Sequence, residues 1–358
     1  MIQTRLTENL NIDHPIIQAP MAFAAGGTLA SSVSNSGGLG LIGGGYGDKN
    51  WILEQFDIAS PVAVGCGLIT WSLKEKPDLL SVIIEKTPKA IFLSFGNPKP
   101  FANQIRDANI PLICQVQTIA DARSALDSGA DIIVAQGSEA GGHGEERATI
   151  TLVPEVADLL SAHYPQALLC AAGGIADGRG LAAALMLGAD GVVIGSRFWA
   201  THEASVHPNM HNQALTANGD MTIRSSVMDI ARHLNWPNRY TARVLANSFT
   251  DRWHLNIDEL KKVADTEAQR WSDAWINGDT DIANTFVGEA TGLVDSIVSA
   301  EECMLSIVND AKNLLAKQWS YTYQLTNACS RTNHSLRSRF AADARRYRAE
   351  ESSAHLAG

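Results

Sequence analysis

Apolar residues gather in short runs that recur between residues 15 and 196, with amphipathic stretches between them. The runs are Pro15 to Met21 (PIIQAPM), Leu39 to Gly43 (LGLIG), Pro61 to Ile69 (PVAVGCGLI) and Ala90 to Phe95 (AIFLSF), then Pro111 to Val116 (PLICQV), Asp131 to Gln136 (DIIVAQ), Ala167 to Ala172 (ALLCAA) and Gly191 to Ser196 (GVVIGS). Each is apolar throughout rather than alternating, which predicts strands buried on both faces, as parallel strands covered by helices are. The intervening segments carry helix punctuation. Thr118 with Asp121 three residues on resembles a capping box, Ser128-Gly129 stops that helix, and Asp177 and Gly188 bracket another over 179–187. Eight strand–helix units predict an α/β fold closed as a (β/α)8 TIM barrel, with a doubly wound open sheet as the alternative.

Beyond Thr201 the strand rhythm stops, and the pattern over 201–300 predicts a smaller helical domain that covers the barrel mouth. Trp236, Trp253, Trp271 and Trp275 are scattered through it. Trp271 and Trp275 share a helix face, which favours packing onto the barrel over substrate contact. The expected organisation is a barrel over 1–200, the helical domain over 201–300, a helix over 301–317 packing back on the barrel, and a tail over 318–358. The tail is basic, with Arg331, Arg337, Arg339, Arg345, Arg346 and Arg348 set against an acidic body, and it has no functional reading.

Composition narrows the classes. The 358 residues are 45% hydrophobic and 18% charged, enough for a large core, so the chain reads as globular. A formal net charge of -10 disfavours nucleic acid or an anionic membrane surface as the main partner. The first residues, MIQTRLTENLNI, hold no apolar signal core, and no run is long enough to span a bilayer, so a cytoplasmic location is expected. The five cysteines, Cys66, Cys114, Cys170, Cys303 and Cys329, are widely spaced with no CxxC pair, which argues against disulfides or structural zinc. His202, His207 and His211 lack carboxylates or cysteines at ligand spacing, so no metal site is expected.

Candidate chemistry sits where the strands end. After the sixth strand comes VAQGSEAGGHG, in which glycines flank His143 and leave room for a flat cofactor or a small substrate beside a ring that titrates near neutral pH. Alone, a histidine among glycines reads as a solvated loop residue; at the carboxyl end of a barrel strand it reads as catalytic. AAGGIADG follows the seventh strand and IGSRF ends the eighth, the two places where such barrels build a phosphate site from backbone N–H groups. Gln18-Ala19-Pro20-Met21 closes the first strand before a run of small residues, a surface for close packing or for a flavin ring. Gly65-Cys66-Gly67 in the third marks either ligand approach or a tapered interior, and Gln115 and Gln117 stand near the fifth strand's end, placed to help hold a ring.

QAPM, GSEAGGHG, AAGGI and GSRF, in that order and spacing, resemble the nitronate monooxygenases, also called 2-nitropropane dioxygenases. The resemblance covers roughly residues 10–317, with Trp236-Pro237, Arg243, Asn247 and VGEATGLV (287–294) in its second half. It implies an FMN-dependent enzyme that oxidises alkyl nitronates with O2 to a carbonyl compound and nitrite, with nitroalkanes as a further substrate class if His143 takes their α-proton. His143 would be the active-site base. FMN would contact Pro20, Met21 and Ala22 on one side, Gly67, Gln136 and Gly141 near the ring, and Gly173, Gly174, Gly195 and Ser196 at its phosphate. Gly67 departs from an Asn common in the family. Two alternatives remain: a flavin-dependent enoyl reductase using NAD(P)H, for which no dinucleotide fingerprint is visible, and a flavin-binding protein without turnover. A homodimer is compatible with this reading.

Overall fold

A computed structural model describes residues 2–317; the basic tail and Cys329 lie outside the described residues. Each of the eight apolar runs contains a strand. In chain order the strands are β1 (Ile16–Gln18), β2 (Leu41–Gly45), β3 (Gly65–Ile69), β4 (Ile91–Ser94), β5 (Leu112–Val116), β6 (Ile132–Gln136), β7 (Gly142–Gly144), β8 (Leu168–Ala172), β9 (Gly191–Ile194), β10 (Thr222–Ser225) and β11 (Thr241–Leu245). Omitting β7, the first nine make an eight-stranded parallel sheet in the order β1-β9-β8-β6-β5-β4-β3-β2. Its ends meet: Leu39, just ahead of β2, bridges Ile17 of β1 in parallel, with Gln18 N donating to Leu39 O and Leu39 N to Ile16 O. Closure makes this a (β/α)8 barrel and removes the doubly wound alternative.

Why the runs are apolar throughout is visible in β8. Leu168, Cys170 and Ala172 join an inner cluster with Phe92, Val134 and Val193, while Leu169 and Ala171 pack outward among the helices. Both faces exclude water, so period-2 alternation vanishes. Leu6 and Leu10 of the helix Arg5–Leu10 belong to the same inner cluster. The predicted caps form: Thr118 Oγ1 accepts from Asp121 N at 3.1 Å, and Asp177 accepts from the N–H groups of Arg179 and Gly180. Cys66, Cys114 and Cys170 are buried core residues, and burial pushes the Cys66 thiol up to about 12. The helix Ala300–Leu315 lies so close to the helix Gly178–Met186 that a Cβ on Gly178 would strike the backbone of Ala311.

The segment expected to be helical holds helices and also β10 and β11. These join β7 in a three-stranded antiparallel sheet, with His143 opposite Ala242. The stretch GHG carries no local β signal. It becomes a strand because its backbone finds β11, a pairing that side-chain pattern does not encode.

Candidate active site

A cavity of about 460 Å³, within the range of small-molecule sites, opens at the carboxyl ends of the barrel strands. It is lined by Pro20, Met21, Ala22, Gly67, Gln136, Gly141, His143, Gly173, Gly174, Gly195 and Ser196, and by Gln115 but not Gln117. These come from the ends of β1, β3, β5, β6, β8 and β9 and from β7, far apart in sequence and brought together by closure.

His143 sits on β7 at the cavity wall, 9% exposed. Its Nε2 lies 2.9 Å from Oδ2 of Asp229, a buried carboxylate on the helix Val227–Ala231. The Trp236 ring stacks on the imidazole with centroids 3.4 Å apart and planes 7° off parallel, and Phe95 meets it edge-on. Trp236 is held in turn by an Nε1–H bond to Tyr46 Oη at 3.2 Å. Burial pushes the imidazole's pKa below its ordinary value. The hydrogen bond and charge of Asp229 oppose this, while Arg232 and Arg224 add to it. Burial therefore favours the neutral ring, and Nε2 is the nitrogen that faces the carboxylate.

The loop before His143 is clamped from β10 and β11. Arg224 Nη1 and Arg243 Nε both donate to Ser138 O, at 3.1 and 2.9 Å, and Arg243 also pairs with Glu289 at 2.8 Å. Gly141 has no room for a side chain because the backbone of Val287 and Gly288 lies against it, and Gly288 N donates to Ser196 Oγ at 2.9 Å. Glu139 accepts from Thr149 N at the start of the helix Thr149–His163, where a carboxylate is favoured. Asn247, which the motif reading placed in the second half, caps the helix Ser248–Trp253.

The residues present fit a flavin mononucleotide. Gly173 and Gly174 take φ of +103° and +72°, backbone that favours glycine, just past the end of β8. Gly195, which lines the same cavity, caps the short helix Ser196–Trp199, and the nearest atom to a Cβ there is 3.6 Å away. First-turn N–H groups have no intrahelical acceptor, so this cradle can take a phosphate. Gln136 accepts from both Gln115 Nε2 at 2.9 Å and Gln117 Nε2 at 2.8 Å on one oxygen, which leaves its amide N–H groups for the cavity. Gln117 therefore holds Gln136 and does not line the cavity itself. At Gly67 a Cβ would overlap Cβ and Cγ of Pro20, so the ring of Pro20 occupies the room an Asn side chain would need.

Other expectations changed. Trp271 and Trp275 do pack, stacked at 5.2 Å, but both also line the cavity. His207 caps the helix Pro208–Thr216 and His211 donates to Trp199 O at 2.9 Å. Asp229 and Arg232 escaped the sequence reading, since a lone Asp and Arg in SSVMDIARH carry no motif. Arg232 lies within 5.9 Å of the rings of Phe23, Tyr46, Trp271 and Phe286 at the cavity wall. Among the described residues no helix is long and apolar enough to cross a membrane.

The nitronate monooxygenase family model matches residues 3–59 and 71–310. A nitronate monooxygenase of Neurospora crassa is 33% identical over 348 residues, covering 84% of this chain and 90% of its own. Among solved structures, FabK from Thermotoga maritima superposes with a TM-score of 0.78 at 30% identity, over 88% of this chain and 98% of that one. A nitroalkane oxidase from Streptomyces ansochromogenes shares the fold, with a TM-score of 0.74 at 21% identity over 86% of this chain and 98% of that one.

Proposed function

The chain belongs to the nitronate monooxygenase family, and on that premise we propose that it oxidises small alkyl nitronates with O2 to a carbonyl compound and nitrite. FMN in the cavity would supply the electron transfer between nitronate and oxygen. The observation that carries this reading is that one aromatic-rimmed cavity is lined both by the buried imidazole of His143 and by the Gly173–Gly174 and Gly195–Ser196 loops. The cradle suits one terminal phosphate, which favours FMN over FAD. Pro20, Met21 and Ala22 would flank the ring, with Gly67, Gln136 and Gly141 near it.

The nitronate is already a carbanion equivalent. What the chain must do is hold it beside the flavin in a site closed to bulk water, and Trp236, Trp271 and Phe286 provide that wall. His143 acts when the substrate arrives as the neutral nitroalkane. The test is to purify the protein, release and identify the flavin, and follow its anaerobic reduction by ethyl nitronate, then nitrite formation with O2. The FabK likeness favours a second reading, an enoyl reductase. Rapid bleaching by NADH or NADPH with none by nitronate would select it.

A further inference from the structure

We propose that Asp229 is a positioning residue: by accepting the Nε2 proton of His143 it leaves Nδ1 as the lone-pair nitrogen that takes the α-proton of a neutral nitroalkane. This rests on the reading above. The proton transfer breaks the substrate's C–H bond and leaves the electron pair on carbon, where the nitro group delocalises it to give the nitronate. The proton ends on Nδ1, and the imidazolium so formed points its Nε2–H at a carboxylate 2.9 Å away.

Two observations argue for this beyond the contact. Asp229 is 2% exposed, yet its Oδ1 has no hydrogen-bond partner, so the carboxylate is held half-satisfied at a cost to stability. A group retained for packing would not be left so. The imidazole is also immobilised on its other faces by the Trp236 stack and by the β7–β11 pairing, so its one polar contact decides the tautomer. The charged and titratable groups facing the pair are Arg232 beyond the same helix, Arg224 on β10, and Tyr46 through Trp236. None of them replaces the carboxylate as acceptor from Nε2.

Asp229→Asn keeps the shape and removes the charge. In the FMN-loaded variant, kcat/KM for nitroethane should fall by roughly a hundredfold, part of the usual contribution of a positioned base, while turnover of preformed ethyl nitronate stays within a few-fold. Because Asp229 raises the imidazole's pKa, the acid limb of the nitroethane profile should move to lower pH, and the melting temperature should not fall. An equal loss on both substrates with FMN bound, or an acid limb that stays in place, would overturn the proposal. Should the variant fail to fold, nitrogen NMR of the wild-type holoenzyme decides instead: a His143 proton on Nδ1 sinks the idea, one on Nε2 supports it. Wild-type protein that ignores nitronates altogether would refute the proposed function, while the tautomer would still judge Asp229.

Discussion

Gln117 donates its side-chain amide to the carbonyl oxygen of Gln136 at 2.8 Å, from a position behind the cavity wall. With Gln115 donating to the same oxygen, the Gln136 amide has one orientation, and its N–H end is left for the cavity, where we propose that it meets the flavin ring. Gln117→Leu should release it. One net hydrogen bond is worth about 1 kcal/mol, so the FMN dissociation constant should rise by roughly fivefold with little change in fold. Fluorescence titration of the apoprotein with FMN measures this, and an unchanged constant would mean that Gln136 does not meet the ring.

The phosphate cradle is tested by Gly174→Asp. The backbone there has φ +72°, and among the described residues Glu139 is the only non-adjacent neighbour within 4 Å of a Cβ, so a side chain costs about 1 kcal/mol of strain but would add a carboxylate beside the proposed phosphate. FMN affinity should drop far more than the melting temperature does. Stoichiometric flavin retention at high dilution would place the phosphate elsewhere.

His143→Asn should lose two to four powers of ten on the neutral nitroalkane, the usual contribution of a positioned base, and keep much of its turnover on preformed nitronate. If both fall, chiefly through KM, the imidazole binds the anion instead.

The pH dependence of stability follows from the same ring. Burial holds its folded pKa below the ordinary 6.5, so the neutral form is favoured by folding. Its contribution is complete above pH 6.5 and is lost as pH falls through the folded value. Between those limits the wild type should lose melting temperature faster than His143→Asn, and parallel curves would contradict the shift.

Gly67→Ala examines the contact with Pro20. Since a Cβ there would overlap the proline ring, the Ala19–Ala22 segment must move. The variant should bind FMN more weakly and melt lower, typically by 1–3 kcal/mol of overpacking. A fully loaded variant with wild-type stability would show that the segment yields freely.

By itself the sequence determined the barrel and the strand-end loops that meet at its cavity. Parallel strands covered by helices are dry on both faces, so continuous apolar runs such as LLCAA announce them, and glycines that must approach a ligand or take positive φ announce the loops at their ends. Only the tertiary structure decided what surrounds His143. Its strand pairs with Thr241–Leu245, its Nε2 faces Asp229, its ring lies on Trp236, and its loop hangs from Arg224 and Arg243. All of these partners lie beyond residue 220, in a segment whose local pattern reported helix. Periodicity records which face of an element is buried; it holds no record of which distant backbone or side chain completes a hydrogen bond, because that choice is made only when the chain has closed.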